Sequence, residues 1–257
     1  MFHAYFLPIY SIAHREIVRF LRQPTRIIGA FGTPLLLWSL LGSGIGSSFQ
    51  APHASHLPFL HFFLPGAMLF LVLFTSIFSA ISIITDRNEG FMQSVISAPI
   101  PRLAIVLGKV FGAVLLAVVQ ATLLGMVSYL GGFPWTFQMI LPALFVLTLS
   151  ALFLACLGFA TAWPMDSVQG YHGVMNLILM PMWVLSGGLF PPEGASPILQ
   201  FIMHANPLHY AIAALRHVML PETQPWPSWS SCILILTVID ALMLGLCLWI
   251  SQRPVKK

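Results

Sequence analysis

Asp240 is the only clear ionisable residue inside the long apolar runs of this chain, midway along the stretch from Trp229 to Ile250. A carboxylate in such a setting is costly and by default marks a proton or substrate site. A lone carboxyl without a basic partner can equally stay protonated and hydrogen-bond a neighbouring helix. Both readings of Asp240 stay open at this level. Two groups of histidines are the other candidates for chemistry. His53, His56 and His61 have no Cys, Asp or Glu beside them, which leaves them short of a metal-ligand set. His204, His209 and His217 lie beside Arg216 and Glu222, where a hydrolase or acyltransferase would need a nucleophile and a positioned base. The sequence contains no H-E-x-x-H and no G-x-S-x-G, and no G-x-x-x-x-G-K-[ST] phosphate loop. No catalytic, cofactor-binding or metal residues are therefore assigned, and the chain reads as a non-enzyme without its own ATPase site. Cys156, Cys232 and Cys247 show neither a C-x-x-C pair nor metal spacing and read as small buried apolar residues.

A polar stretch from Asp86 to Lys109 organises the rest. Asp86, Arg87, Asn88 and Glu89 close one apolar run, and Arg102 and Lys109 open the next. Between them Phe91, Met92, Val95 and Ile96 recur at helical spacing until Ala98-Pro99-Ile100-Pro101, where proline removes an amide donor and disfavours helix in the residue before it. This predicts a short amphipathic helix in a polar turn between two membrane spans, a place where the membrane part can be gripped from outside.

The elements that carry these residues follow from composition. Of 257 residues, 58% are hydrophobic and 7% charged, and the mean hydropathy is +0.90, whereas a soluble domain carries about 25% charged residues. The chain is thus expected to be an all-α integral membrane protein, a single domain over residues 1–257. Spans are predicted at Ile27–Phe49, Leu64–Thr85, Leu103–Tyr129, Phe137–Ala162, Tyr171–Phe190 and Trp229–Ile250, six in number. Lys109 is expected to snorkel its ammonium to the interface. Residues 1–26 form an interfacial segment in which Arg15, Arg19 and Arg22 share one helix face opposite Ile9, Ala13, Ile17 and Phe20. This first stretch lacks a cleavage pattern, so insertion is expected to use the first span itself. Residues 193–227 hold two apolar helical patterns too short to span, broken at Asn206-Pro207, which read as an outer re-entrant segment. Ten of the eleven basic residues fall on one side and only Arg216 on the other, which places both termini and the 86–102 turn in the cytoplasm. The formal charge of +4 is explained by this topology rather than by nucleic acid. The partner of the apolar surface is the lipid bilayer.

Two spaced motifs add a resemblance. Glu89-Gly90, then Ala98-Pro99-Ile100-Pro101-Arg102 and Leu107-Gly108-Lys109, resemble the segment between the second and third spans of ABC-2 type exporter permeases. Ser186-Gly187-Gly188-Leu189-Phe190-Pro191, followed by Asn206-Pro207-Leu208-His209-Tyr210 and Arg216, is similar to that family's outer re-entrant region; Gln93 stands where the family tends to be acidic. The resemblance implies a permease subunit of an ATP-driven exporter in the bacterial inner membrane. It implies two copies, as a homodimer or with a paralogue, and separate ATP-binding-cassette subunits that carry ATP and Mg. Arg87, Glu89, Phe91, Met92 and Val95 would belong to the coupling helix that meets the ATPase, and Arg15, Arg19 and Arg22 to the connecting helix. Gly187, Asn206, Pro207, Tyr210 and Arg216 would belong to the outer motif. The rival reading is a self-sufficient proton-coupled secondary carrier that uses Asp240. Such carriers usually show paired, broken-helix repeats, which the sequence lacks.

Overall fold

A computed structural model describes residues 2–45, 57–98, 100–223 and 226–252. Among the described residues there are ten α-helices and no strand: α1 (Phe2–Leu21), α2 (Pro24–Ile45), α3 (Phe59–Asn88), α4 (Phe91–Ser97), α5 (Arg102–Leu130), α6 (Phe137–Ala162), α7 (Val168–Val184), α8 (Pro197–Ala205), α9 (Pro207–Met219) and α10 (Trp229–Gln252). Short 3-10 turns at Pro192–Gly194 and Pro221–Thr223 flank α8 and α9. His53, His56 and the basic residues Arg253, Lys256 and Lys257 lie outside the described residues.

Helix α3 is the axis of the fold. From Phe62 to Leu73 every residue is buried, and α2, α5, α6, α7 and α9 all pack on it. Lipid tails are as apolar as leucine, so close packing and satisfied polar groups must hold such a bundle together. Both devices are visible in α3. Thr75 and Ser76 turn their hydroxyls back onto the carbonyls of Leu71 and Val72, at 2.9 and 2.8 Å, so neither enters the core with an unmet donor. At Gly66 the backbone of the 186–190 segment comes so near that an added Cβ would lie 2.7 Å from the Gly188 carbonyl oxygen.

Among the described residues five helices are long and apolar enough to cross a membrane: α2, α3, α5, α6 and α10. Helix α7, the fifth of the six expected spans, has 17 residues, about 26 Å at 1.5 Å per residue, against a hydrocarbon core of about 30 Å. It stops at Val184 rather than Phe190 because the chain turns at Gly187, whose φ of 88° suits glycine. Helix α3 conversely begins at Phe59, five residues before its expected start, behind Pro58.

The small-residue pair Gly108 and Gly112 on α5 receives α1. A Cβ at Gly108 would lie 2.7 Å from the Ile12 Cβ, and one at Gly112 would lie 3.0 Å from the Glu16 Cβ. Helix α1 is therefore held against a span along much of its length, with Ile12, Glu16 and Phe20 buried and Arg22 exposed.

Candidate functional site: a charged junction at α4 and a cap at the opposite end

The end of α3 places Ser82 and Asp86 one turn apart on one face, toward α5 and α1. Asp86 is fully buried, and three cations converge on it. Arg15 makes two contacts, Nη1 to Oδ2 at 2.9 Å and Nη2 to Oδ1 at 2.8 Å. Arg19 Nη1 donates to Oδ1 at 2.6 Å, and the Lys109 ammonium donates to Oδ2. Lys109 also donates to Glu16 Oε1 at 2.5 Å and to Ser82 Oγ at 3.0 Å, while Arg19 Nη2 approaches Glu89 at 3.7 Å. Three cations (Arg15, Arg19, Lys109) thus balance three carboxylates (Glu16, Asp86, Glu89). Such a cluster is tolerable in a low-dielectric interior because each charge has a partner, and removing one leaves another stranded. Asp86 is thus held by the net of Arg15, Arg19 and Lys109 together rather than by any single pair.

Lys109 does not snorkel to water as expected. It is buried and turned inward, because Gly108 and Gly112 bring Glu16 within its reach. The sequence reading also missed Glu16, which leaves Asp240 no longer alone as a buried ionisable group. A signal was present: Glu16 falls on the apolar face of α1, one turn from Ile12 and Phe20, and a carboxylate there demands a buried cation.

The junction grips the short helix α4. Glu89 ends α3 and Gly90, at φ 79°, reverses the chain in a conformation costly to other residues. The Arg15 guanidinium lies 3.6 Å from the Phe91 ring centroid, a cation–π contact. Met92 is 2% exposed and Val95 packs on the core. The expected paired anchor of Phe91 and Met92 is thus divided: Met92 faces inward, and the outer side presents Glu89, Gln93 and Ser94 with part of Phe91. Arg87 is likewise turned to the protein itself. It donates to the Trp163 carbonyl, to the Met165 carbonyl at 3.2 Å and to Asp166 Oδ1 at 3.2 Å, while Asn88 Nδ2 donates to the Asp166 carbonyl at 3.3 Å. Arg102 donates to the Ser251 carbonyl at the end of α10. The α3–α4–α5 turn is therefore bound to α1, to the α6–α7 turn and to the end of α10.

At the other end, the unwound terminus of α7 leaves carbonyls that hydrocarbon cannot satisfy, and α9 supplies the donors. Asn206 Nδ2 donates to the Met182 carbonyl at 2.5 Å, while its Oδ1 accepts from the Leu208 amide at 3.0 Å as the N-cap of α9. Pro207 occupies the first helical position, where its missing amide is no loss. His209 Nδ1 donates to the Ser186 carbonyl at 3.2 Å. Arg216 Nη2 donates to the Gly187 carbonyl at 2.6 Å and stacks over the Phe62 ring at 4.0 Å. Tyr210 Oη closes the corner on the His204 carbonyl at 2.7 Å, and Trp183 Nε1 reaches the Gly66 carbonyl at 2.9 Å. Gly187, Asn206, Pro207, Tyr210 and Arg216 are thus brought together as one cap. Burial lowers the His209 pKa to about 4, with His204 and Arg216 adding to the shift and the Ser186 bond opposing it.

Asp240 stands apart from both sites. It is 4% exposed and makes no hydrogen bond to a described residue. His61 Nε2 contacts the Gly131 carbonyl at 3.3 Å, and His217 Nε2 the Pro227 carbonyl at 2.8 Å.

Comparison with known proteins decides between the readings. The ABC-2 type transporter model matches residues 8–220, a range that includes the junction and the cap. The chain belongs to the ABC-2 type transporter family. It is accordingly a membrane permease subunit of an ABC transporter, and the proton-coupled carrier reading is not favoured. Among its ABC-2 relatives, the nodulation protein J of Neorhizobium galegae is 27% identical over 205 residues, 79% of this chain and 77% of that protein. The daunorubicin resistance ABC transporter permease protein DrrB1 of Streptomyces coeruleorubidus is 24% identical over 80% of this chain and 72% of its own length. The inner membrane transport permease YadH of Escherichia coli is 24% identical over 86% of each chain.

Proposed function

We propose that this permease pairs with a second copy to form the translocation pathway of an ATP-driven exporter in the bacterial inner membrane. Six spans, α7 included, cross the bilayer with both termini in the cytoplasm. Separate ATP-binding-cassette subunits, which hold ATP and Mg, dock on the α4 turn and drive it. The observation that carries this reading is the construction of α4. Its inner side is fixed by Met92 and by the Arg15 contact to Phe91, and its outer side presents Glu89, Gln93 and Ser94. A small helix built this way can accept force at its surface and deliver it to α1, α3 and α5 through Asp86. The names of the relatives support the rest, since DrrB1 is a resistance permease and YadH an inner membrane permease.

The test is co-expression with the ATP-binding-cassette subunit encoded nearest to this gene. Phe91→Ala removes both the exposed ring edge and the partner of Arg15, and is expected to weaken docking by about 1–3 kcal/mol, read as lost co-purification and uncoupled ATP hydrolysis. Wild-type binding and wild-type coupling by this variant would mean that Phe91 serves as a membrane anchor and that the ATPase docks elsewhere.

A further inference from the structure

A cavity of about 380 Å³ lies between α3, α5 and α6 in the half of the membrane opposite α4, lined by Met68, Gly125, Met126, Trp135, Ala143 and Leu144 among others. Its volume falls in the range of single-ligand sites, about 300–1,000 Å³. Among the described residues no Asp, Glu, Lys or Arg lines it, and apart from the Tyr129 hydroxyl at its rim its side-chain polar groups are already engaged. Thr122 Oγ1 donates to the Val118 carbonyl at 2.7 Å. Trp135 Nε1 donates to Ser128 Oγ at 2.9 Å, and Ser128 Oγ in turn to the Gly125 carbonyl at 2.6 Å. A polar ligand would therefore lose its hydration here without gaining a partner. The floor is kept open at Gly125, where a Cβ would sit 3.2 Å from the Trp135 ring and 3.4 Å from the Met68 methyl.

We propose that this cavity is a binding site for one acyl chain of a membrane phospholipid from the leaflet opposite α4. Three observations converge on that occupant. The cavity is enclosed by three helices that each qualify as membrane spans, so the medium at its mouth is hydrocarbon. The surface beside it is apolar, with Leu115, Val119, Leu123 and Met126 of α5 and Leu141 and Phe145 of α6 all exposed. At the rim Tyr129 is 69% exposed and lines the cavity with Trp135, an amphipathic pair of the kind that sits at headgroup level. The chain threads inward from that rim toward Met68, which is itself only 1% exposed.

Met68 makes the test direct, because bulk lipid does not reach it. The protein in phosphatidylcholine nanodiscs, doped with a phosphatidylcholine bearing a mid-chain diazirine, is irradiated and its adducts are mapped by mass spectrometry. Adducts are expected on Met68 as well as on exposed Met126 and Leu115. Ala143→Phe, which fills the cavity from α6, and Leu144→Trp, which fills it from the lipid-facing rim with less demand on the core, should each abolish the Met68 adduct while the Leu115 adduct persists. Labelling of Leu115 and Met126 without Met68 in the native protein would overturn the proposal. So would a Met68 adduct unchanged in Leu144→Trp. Disulfide cross-linking between two copies through Met126→Cys would show a second copy seated on the mouth and would also refute it.

Discussion

Lys109→Met tests whether the buried ion cluster holds α1 to the spans. The methionine keeps the length of the side chain and removes the charge, so packing against Gly108 and Gly112 is little disturbed. Asp86 would retain Arg15 and Arg19, at 2.8 and 2.6 Å, but Glu16, 3% exposed, would keep only Arg15 at 3.9 Å. A buried carboxylate stripped of its partner costs about 3–5 kcal/mol, and that is the expected destabilisation. Adding Glu16→Gln removes the stranded charge. The double variant should recover most of the loss, and the non-additivity should be about 0.5–3 kcal/mol. Arg15→Ala, by contrast, removes a side chain that is 33% exposed and leaves Asp86 with Arg19 and Lys109, and should cost less than Lys109→Met. The assay is unfolding in mixed micelles by increasing SDS, followed by tryptophan fluorescence, for native, single and double variants. A Lys109→Met protein as stable as the native one, or a double variant whose loss equals the sum of the two singles, would show that these charges are solvated and that α1 is held by packing alone.

Three other outcomes follow from the same structure. In a background free of Cys156, Cys232 and Cys247, single cysteines at Ser94 and Ser167 should be shielded from an impermeant thiol reagent in whole cells while Ser196→Cys reacts, as should Ser55→Cys, a position outside the described residues; the reverse pattern would invert the orientation. His209 is buried in its neutral form with a pKa near 4, so the unfolded chain binds the extra proton below its ordinary value of about 6.5. Stability contributed by the cap is then full above about pH 6.5 and falls toward pH 4 with a slope approaching 1.4 kcal/mol per pH unit at most, about the one-proton limit; His209→Gln should flatten that fall in a pH series of unfolding curves, and an unchanged slope would remove His209 as its source. Asp240→Asn should leave ATP-driven transport in proteoliposomes intact and independent of a proton gradient, and loss of transport that a gradient governs would restore the carrier reading.

The hydrophobic runs, the polar turn and the two broken motifs were all written in local sequence. Composition and hydropathy act residue by residue, so the boundaries of α6 fall where the apolar run predicts, and those of α5 and α10 within a residue or two. The family resemblance likewise rested on short spaced motifs, and the family match bears it out. Partners distant in the chain were not legible. Nothing near Lys109 announces Glu16, 93 positions away, or tells Arg87 to spend its donors on the α6–α7 turn, 76 to 79 positions on. The same holds for Met92, which is buried although its short helix lies in a polar turn. Helical spacing states which residues share a face, but which face meets which helix is fixed by packing. In this protein two glycines on α5 made that choice, by letting α1 come close enough for a carboxylate on its apolar side to find a buried amine.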